Sequence, residues 1–167
     1  METKKIESLR HALEEIFAHL GIDPNFTIDD ESDDGTLFVK VWGDDLSFLI
    51  GYRGNCLKAL KYYLGLVLNK GLEAAEWSRV IVDIDGYLDR RKEKIEEIAR
   101  NYIDRVRFFG HEVHLPYMDS SERWIVHTYI KDYADIVSES EGEGYRRHIV
   151  LRPVGKSVDE STDKKEE

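Results

Sequence analysis

The chain has 167 residues, 41% of them hydrophobic, and a net charge of −10 at pH 7. These values allow one or two small domains with packed cores, and the charge argues against nucleic-acid binding by the surface as a whole. No run of 18 apolar residues is present, and the single cysteine, Cys56, excludes an internal disulfide and a cysteine-rich zinc site. The charged N-terminus lacks the apolar core of a signal peptide, so we expect a cytoplasmic protein.

The first half of the chain predicts the order helix, two strands, two adjacent helices, strand. Apolar residues recur at helical spacing up to Leu20, and Gly21 is a suitable C-terminal cap. Three segments alternate apolar residues at every second position and predict strands: Phe26 and Ile28; Leu37, Val39 and Val41; Val80, Val82 and Ile84. The acidic stretch between the first two strands resembles a calcium loop, but Val41 occupies position 12, where a glutamate is needed. A solvated hairpin turn is therefore favoured there.

A G-x-x-G turn, Gly51-Tyr52-Arg53-Gly54, joins the two adjacent helices. Glycine removes the side chains that would keep a polynucleotide at a distance, and the following helix directs its N-terminal N–H groups towards the turn. Arg53 adds a planar, permanently charged phosphate donor. That helix is expected to begin with Asn55 as its cap, to bury Leu57, Leu60, Leu64 and Val67, and to end at Gly71. Its Lys58 and Lys61 either extend a basic track from Arg53 or are ordinary solvated lysines.

This order of elements, with the G-x-x-G turn between adjacent helices, resembles a type II KH domain. The resemblance implies a three-stranded sheet backed by helices and a groove for about four nucleotides of single-stranded nucleic acid. KH turns usually carry a cation where this chain has Tyr52, which could instead stack on a base or sugar. Replacing Gly51 and Gly54 by aspartate is expected to abolish binding while the fold survives.

The second half begins with a long predicted helix from Leu88 to Phe108, ended by Gly110. Four cations occupy its first turns, where the helix dipole disfavours them: Arg90, Arg91, Lys92 and Lys94. Nearby acids or a polyanion could compensate for them, or they could form a plain solvated face. A short extended piece at Val113 and Leu115 follows, then a helix capped by Asp119 or Ser120, and finally a hairpin around Glu141–Gly144.

Arg123 and His127 are four residues apart and therefore lie on one face of the predicted helix. Arginine can grip a phosphate with two N–H groups, and histidine can donate a hydrogen bond and gain charge below about pH 6.5. Arg146 and Arg147 follow the hairpin turn, so one of them is expected to face outward. The structural alternatives are a half-buried His127 bonded to a carbonyl, and arginines in ion pairs with Glu122, Glu139 or Glu141.

Arg123-Trp124-Ile125-Val126-His127 resembles the signature of the R-3-H domain, a small nucleic-acid-binding module. A type II KH domain followed directly by this module resembles the bacterial Jag/KhpB (SpoIIIJ-associated) family, here without its usual N-terminal Jag domain. The expected class is α+β, with a KH domain at residues 1–85, an R-3-H domain at 86–153 and a disordered charged tail at 154–167. The resemblance implies an RNA-binding regulator linked to cell shape or division, with a KhpA-like small KH partner or self-association.

Enzymatic and metal sites are not expected. His111 and His114 would face opposite ways on a strand, His148 lies far along the chain, and neither H-E-x-x-H nor G-x-S-x-G occurs. The sequence therefore predicts no catalytic residues and no cofactor. The nucleic-acid site is predicted to comprise the following residues: Gly51, Tyr52, Arg53, Gly54, Lys58, Lys61, Arg123, His127, Arg146 and Arg147. The alternative is a protein-interaction adaptor whose KH fold dimerises and no longer binds RNA.

Overall fold

A computed structural model describes residues 2–30, 35–70 and 77–155, with side chains from residue 4 onward. The centre of the predicted acidic turn, the predicted helix end at Gly71 and the predicted tail from residue 156 lie outside the described residues. The chain divides into two compact units, Met1–Leu88 and Asp89–Glu167. None of the helices in the described ranges has the length and apolar character needed to span a membrane.

The first unit is a three-stranded sheet with helices, in the order that the sequence predicts. Its elements are α1 (Glu2–Leu20), β1 (Asn25–Asp29), β2 (Leu37–Trp42), α2 (Ser47–Ile50), α3 (Asn55–Leu68) and β3 (Val80–Ile84). The strand order is β1-β2-β3, with β1 antiparallel and β3 parallel to β2. The parallel pair is possible because α2 and α3 form the crossover between β2 and β3.

The core of this unit follows the predicted alternation and helical spacing. Leu37, Val39 and Val41 of β2 are buried beside apolar residues of α1 and α3, which include Leu9, Leu13, Phe17, Leu60 and Leu64. Gly21 has φ +67° and its N–H donates to the Ala18 carbonyl, as expected of a C-terminal cap. The prediction of Val67 as a buried member of α3 is wrong, because Leu68 is buried and Val67 is only partly covered.

The second unit is a three-stranded sheet packed against two helices. Its elements are α4 (Tyr87–Phe109, which begins in the first unit), β4 (Val113–His114), α5 (Ser120–Ile130), β5 (Ile136–Glu141) and β6 (His148–Pro153). The strand order is β4-β6-β5 and both pairs are antiparallel. The α+β class and the predicted hairpin are confirmed.

The N-terminus of α5 is fixed by a capping box. The Asp119 carboxylate accepts from the Glu122 N–H at 2.9 Å, and the Glu122 carboxylate accepts from the Asp119 N–H at 3.2 Å. Of the two predicted caps, Asp119 and Ser120, Asp119 is therefore the correct one. Because the box defines where α5 begins, it also defines which face carries Arg123 and His127.

The cations at the start of α4 have acidic partners. Arg91 donates to buried Glu122 through Nε at 2.9 Å and Nη2 at 2.5 Å. Lys92 and Lys94 lie 4.0 and 2.7 Å from glutamates three or four residues further along the helix. Of the alternatives left open by the sequence, compensation by nearby acids accounts for these three side chains.

Candidate nucleic-acid interface

The G-x-x-G turn exposes its two central side chains. After α2 the chain turns at Gly51 (φ +68°), and residues 52–54 form one 3-10 turn that leads into α3. Tyr52 is 75% exposed, and the Arg53 guanidinium lies 5.3 Å from the centre of the Tyr52 ring. Arg53 itself has φ +51°, an uncommon conformation for a residue with a side chain. The turn therefore holds an aromatic ring and a cation together at the surface.

Both glycines of this turn are required by packing within the first unit. A Cβ on Gly51 would lie 2.4 Å from Cys56 Sγ, and a Cβ on Gly54, which has φ +77°, would lie 3.0 Å from the Tyr87 ring. The Tyr87 hydroxyl is buried and has no hydrogen-bond partner among the described residues. Aspartate at both positions would therefore strain the first unit, which argues against the expectation that the fold survives this change.

Helix α3 begins without a side-chain cap. Its N-cap residue is Gly54, in the left-handed conformation, and Asn55 is the first helical residue, so the prediction of Asn55 as the cap is wrong. The first turn of α3 contains no acidic residue. Its uncapped N–H groups and positive dipole end favour an anion beside the turn.

A groove of about 740 Å³ runs along α3 and the edge strand β3. Tyr62, Leu66 and Trp77 contribute exposed apolar surface to it, being 70%, 52% and 61% exposed. The charged residues that line it are all cations, with no carboxylate among the described lining residues: Lys58, Lys61, Lys70 and Arg79. Although the whole chain has a net charge of −10, the described lining of this groove is basic and aromatic. Proteins that bind single-stranded nucleic acids combine these two features.

The second predicted site lies on α5 and the neighbouring strand β5. Arg123 is half-buried, and its Nη1 donates to the Met118 carbonyl at 2.6 Å, in the loop that precedes the helix. His127 is also half-buried, and its Nδ1 lies 2.8 Å from Ser138 Oγ. The structure therefore fixes both side chains of the R-x-x-x-H pattern by hydrogen bonds to residues outside α5.

The surroundings of His127 are electropositive. Burial, together with the charges of Arg123 and Lys131, lowers the pKa of His127 from its ordinary value of 6.5. The imidazole is therefore neutral at pH 7. A phosphate beside it would offset the two positive charges and favour uptake of a proton.

Arg146 and Arg147 are both exposed at the end of the β5–β6 turn. Arg147 Nε donates to Ser140 Oγ at 2.9 Å, and the Arg147 carbonyl accepts from the Met118 N–H at 3.2 Å. Because Met118 also binds Arg123, the structure connects Arg147 with the R-x-x-x-H residues. The contacts of Arg146 are to other residues: its N–H donates to the Glu143 carbonyl at 3.1 Å, and its own carbonyl lies 2.9 Å from His148 Nδ1.

The sequence left two alternatives to nucleic-acid binding: ion pairs of the arginines with nearby glutamates, and a half-buried His127 bonded to a carbonyl. Glu122 pairs with Arg91, and both Glu139 and Glu141 pair with Arg152. Within the described part of the chain no carboxylate pairs with Arg123. His127 contacts a hydroxyl and not a carbonyl, so the half-buried histidine alternative is correct in burial and wrong in partner.

The three histidines considered for a metal site separate into two places. His114 Nδ1 lies 2.9 Å from His148 Nε2, while the His111 ring stacks on Phe109. In the ranges that the structure describes, no three His, Cys, Asp or Glu side chains group together in a way that could hold a metal ion.

Sequence reasoning missed several residues of both sites. Ser138 and Ser140 were not singled out, although their alternation on a predicted strand was a signal that they share a face. Tyr62, Trp77 and Arg79 were also missed, because the pairing of α3 with the edge strand cannot be read from either segment alone.

Comparison with known proteins agrees with this arrangement. Residues 93–153 match the R-3-H domain family. The chain is 32% identical over 139 residues to the RNA-binding protein KhpB of Clostridium symbiosum, which covers 83% of this chain and 62% of that protein. It is 35% identical over 118 residues to KhpB of Bacillus subtilis (strain 168), which covers 70% of this chain and 56% of that protein. KhpB of Streptococcus pneumoniae is 26% identical over 133 residues, or 78% of this chain and 39% of that protein.

The chain thus spans 62% and 56% of the length of the first two curated relatives that it matches. The matches to KhpB cover most of the chain, and the R-3-H match falls on the unit that carries Arg123 and His127. Over most of its length the chain is therefore homologous to RNA-binding proteins of the KhpB (Jag) family, and its second unit contains an R-3-H domain.

Proposed function

We infer that this protein binds single-stranded RNA through two sites and catalyses no reaction. The relatives are named as RNA-binding proteins. The first unit, as a type II KH domain, supplies the G-x-x-G turn and the adjoining groove, and the second unit, as an R-3-H domain, supplies Arg123 and His127. In this proposal the protein acts in the cytoplasm on transcripts, in a process linked to cell shape or division, with a KhpA-like partner or a second copy.

The groove beside α3 is the observation on which this proposal rests. An exposed Trp77 and Tyr62 offer rings on which bases can stack, and the cations along the same groove neutralise phosphates. The turn places Arg53 and Tyr52 at the N-terminus of α3. Each component is common alone, but their alignment in a protein of this net charge favours a nucleic-acid strand over an uncharged partner.

The test is binding of a labelled single-stranded RNA to the full chain at low salt, by fluorescence anisotropy. Lys61→Glu reverses an exposed charge of the groove and should weaken binding about tenfold or more. Lys40→Glu is the matched control, because Lys40 is an exposed β2 residue outside the groove lining, 3.8 Å from Asp29. It makes the same change of net charge and should alter affinity by less than about twofold.

Two results would contradict the proposal. Equal losses from the two substitutions would mean that net charge alone controls binding. A wild-type chain that retains no RNA at low salt, and that light scattering shows to be a dimer, would favour the adaptor alternative.

A further inference from the structure

Two serines of β5, Ser138 and Ser140, each contact one nitrogen-bearing side chain of the second site. Ser138 Oγ lies 2.8 Å from His127 Nδ1, and Ser140 Oγ accepts from Arg147 Nε at 2.9 Å. The partners come from different elements, since His127 is on α5 and Arg147 follows the β5–β6 turn. The two serines therefore bring His127 and Arg147 together along β5, and we call these four side chains the row.

The geometry of β5 gives this row its spacing. Ser138 and Ser140 are two residues apart on β5, so their side chains lie on the same face of the strand. They pair with Leu151 and Ile149 of β6. Residues two apart on a strand are separated by about 6.6 Å. This distance is comparable to that between adjacent phosphates of an extended single strand. Since β5 is an edge strand in the order β4-β6-β5, the row lies at a border of the sheet.

The charge around the row favours an anion. The two glutamates of β5, Glu139 and Glu141, alternate with the serines, so they lie on the other face, where both pair with Arg152. Arg123 lies one helical turn before His127 and adds a positive charge on the same face of α5. The carboxylates nearest in sequence are therefore directed away from the row.

We propose that Ser138 and Ser140 align His127 and Arg147 along the edge of β5 to bind consecutive phosphates of a nucleic-acid single strand. The inference rests on the proposed function and specifies what the second site recognises, namely the phosphodiester backbone and not the bases. Ser138 engages Nδ1 of His127 and so directs Nε2 to the phosphate. Ser140 fixes the plane of the Arg147 guanidinium. Both serines are positioning residues that act through His127 and Arg147.

The first test is a set of double-mutant cycles measured with single-stranded RNA. Ser140→Ala and Ser138→Ala should each weaken binding by about threefold to tenfold. Ser140→Ala should have no further effect once Arg147 is alanine, and Ser138→Ala none once His127 is alanine, because each serine acts only through its partner. Ser138→Thr and Ser140→Thr keep the hydroxyl and should restore most of the affinity. Ser120→Ala, an exposed serine of α5, is the control and should change nothing.

A second test needs no RNA. In imidazole nitrogen NMR spectra, Ser138→Ala should change the tautomer ratio of His127, while Ser140→Ala should leave it unchanged. A third test replaces RNA by an abasic phosphodiester strand. The loss caused by Ser140→Ala should persist with that strand, since no base is needed for the contact.

Failure of this inference can be told apart from failure of the proposed function. If Lys61→Glu weakens binding and neither serine variant does, only the inference is overturned. Additive effects of Ser140→Ala and Arg147→Ala would also overturn it, because they would show that the serine acts elsewhere. Loss of the serine effect on an abasic strand would overturn recognition of the backbone. If the wild-type chain binds no single strand, both are overturned.

Discussion

Gly51 and Gly21 have nearly the same φ angle but different surroundings. Their φ angles are +68° and +67°, yet a Cβ on Gly51 would lie 2.4 Å from Cys56 Sγ, whereas a Cβ on Gly21 would have no neighbour within 4 Å. The glycine of the G-x-x-G turn is thus explained by its own packing as well as by any ligand. This distinction matters because glycine substitutions in the turn would alter the fold and RNA binding together.

Alanine should cost more stability at Gly51 than at Gly21. Gly21→Ala introduces only the strain of a positive φ, about 1 kcal/mol of the free energy of unfolding. Gly51→Ala places a side chain at φ +68° and ψ −174°, a region essentially restricted to glycine, and also forces Cys56 to move, so it should cost about 3 kcal/mol. Urea unfolding of both variants measures the difference. Adding Cys56→Ala to Gly51→Ala should recover part of the loss, and equal costs at the two glycines would contradict the packing argument.

At the scale of elements, one buried carboxylate joins the N-terminus of α5 to α4. Glu122 is 6% exposed, closes the capping box with Asp119 and accepts two hydrogen bonds from Arg91. Arg123 follows Glu122 directly in sequence. The contact between the helices therefore sets the position of the R-x-x-x-H side chains as well as the stability of the unit.

Removing the cation of this contact should destabilise the second unit. Arg91→Met leaves the Glu122 carboxylate buried without its partner and should lower the free energy of unfolding by about 2–3 kcal/mol. Lys92→Met is the matched control on the same helix, because the Lys92–Glu96 pair is exposed and 4.0 Å apart, and it should cost less than about 0.5 kcal/mol. Thermal or urea unfolding followed by circular dichroism measures both. Similar losses in the two variants would show that the buried contact has no special role.

At the scale of the whole molecule, patterns within a segment predicted more than contacts between segments. Alternation in β2 and the spacing of Arg123 and His127 were readable because they depend on neighbours in sequence. The contacts of Gly54 with Tyr87 and of Arg147 with Ser140 join distant positions, so nothing in either segment indicated them. The same reason explains the wrong prediction for Asn55. Gly54, in a left-handed conformation, is the N-cap residue of α3 in place of Asn55.

The two proposed sites have a consequence for RNA length. A strand long enough to reach both sites binds the second at a high effective concentration once the first is occupied, so two weak sites act as a stronger one. A strand of about four nucleotides is the length that a KH groove holds, so it serves as the single-site comparison. Because each phosphate contact on a single strand contributes about −0.7 to the slope of log affinity against log salt, the number of sites in use is measurable.

We therefore expect the salt slope for a strand of about 20 nucleotides to be close to the sum of the slopes of the two separate sites. Lys61→Glu should reduce that slope and bring the affinity of the long strand near that of the short one, whereas Arg123→Ala should remove about 0.7 from it. Titrations from about 50 to 200 mM salt, with Lys40→Glu as the control, provide the comparison. A long strand whose slope equals that of the short strand would mean that one site alone binds RNA. In that case only one place on the protein would be basic enough to bind RNA despite the net charge of −10.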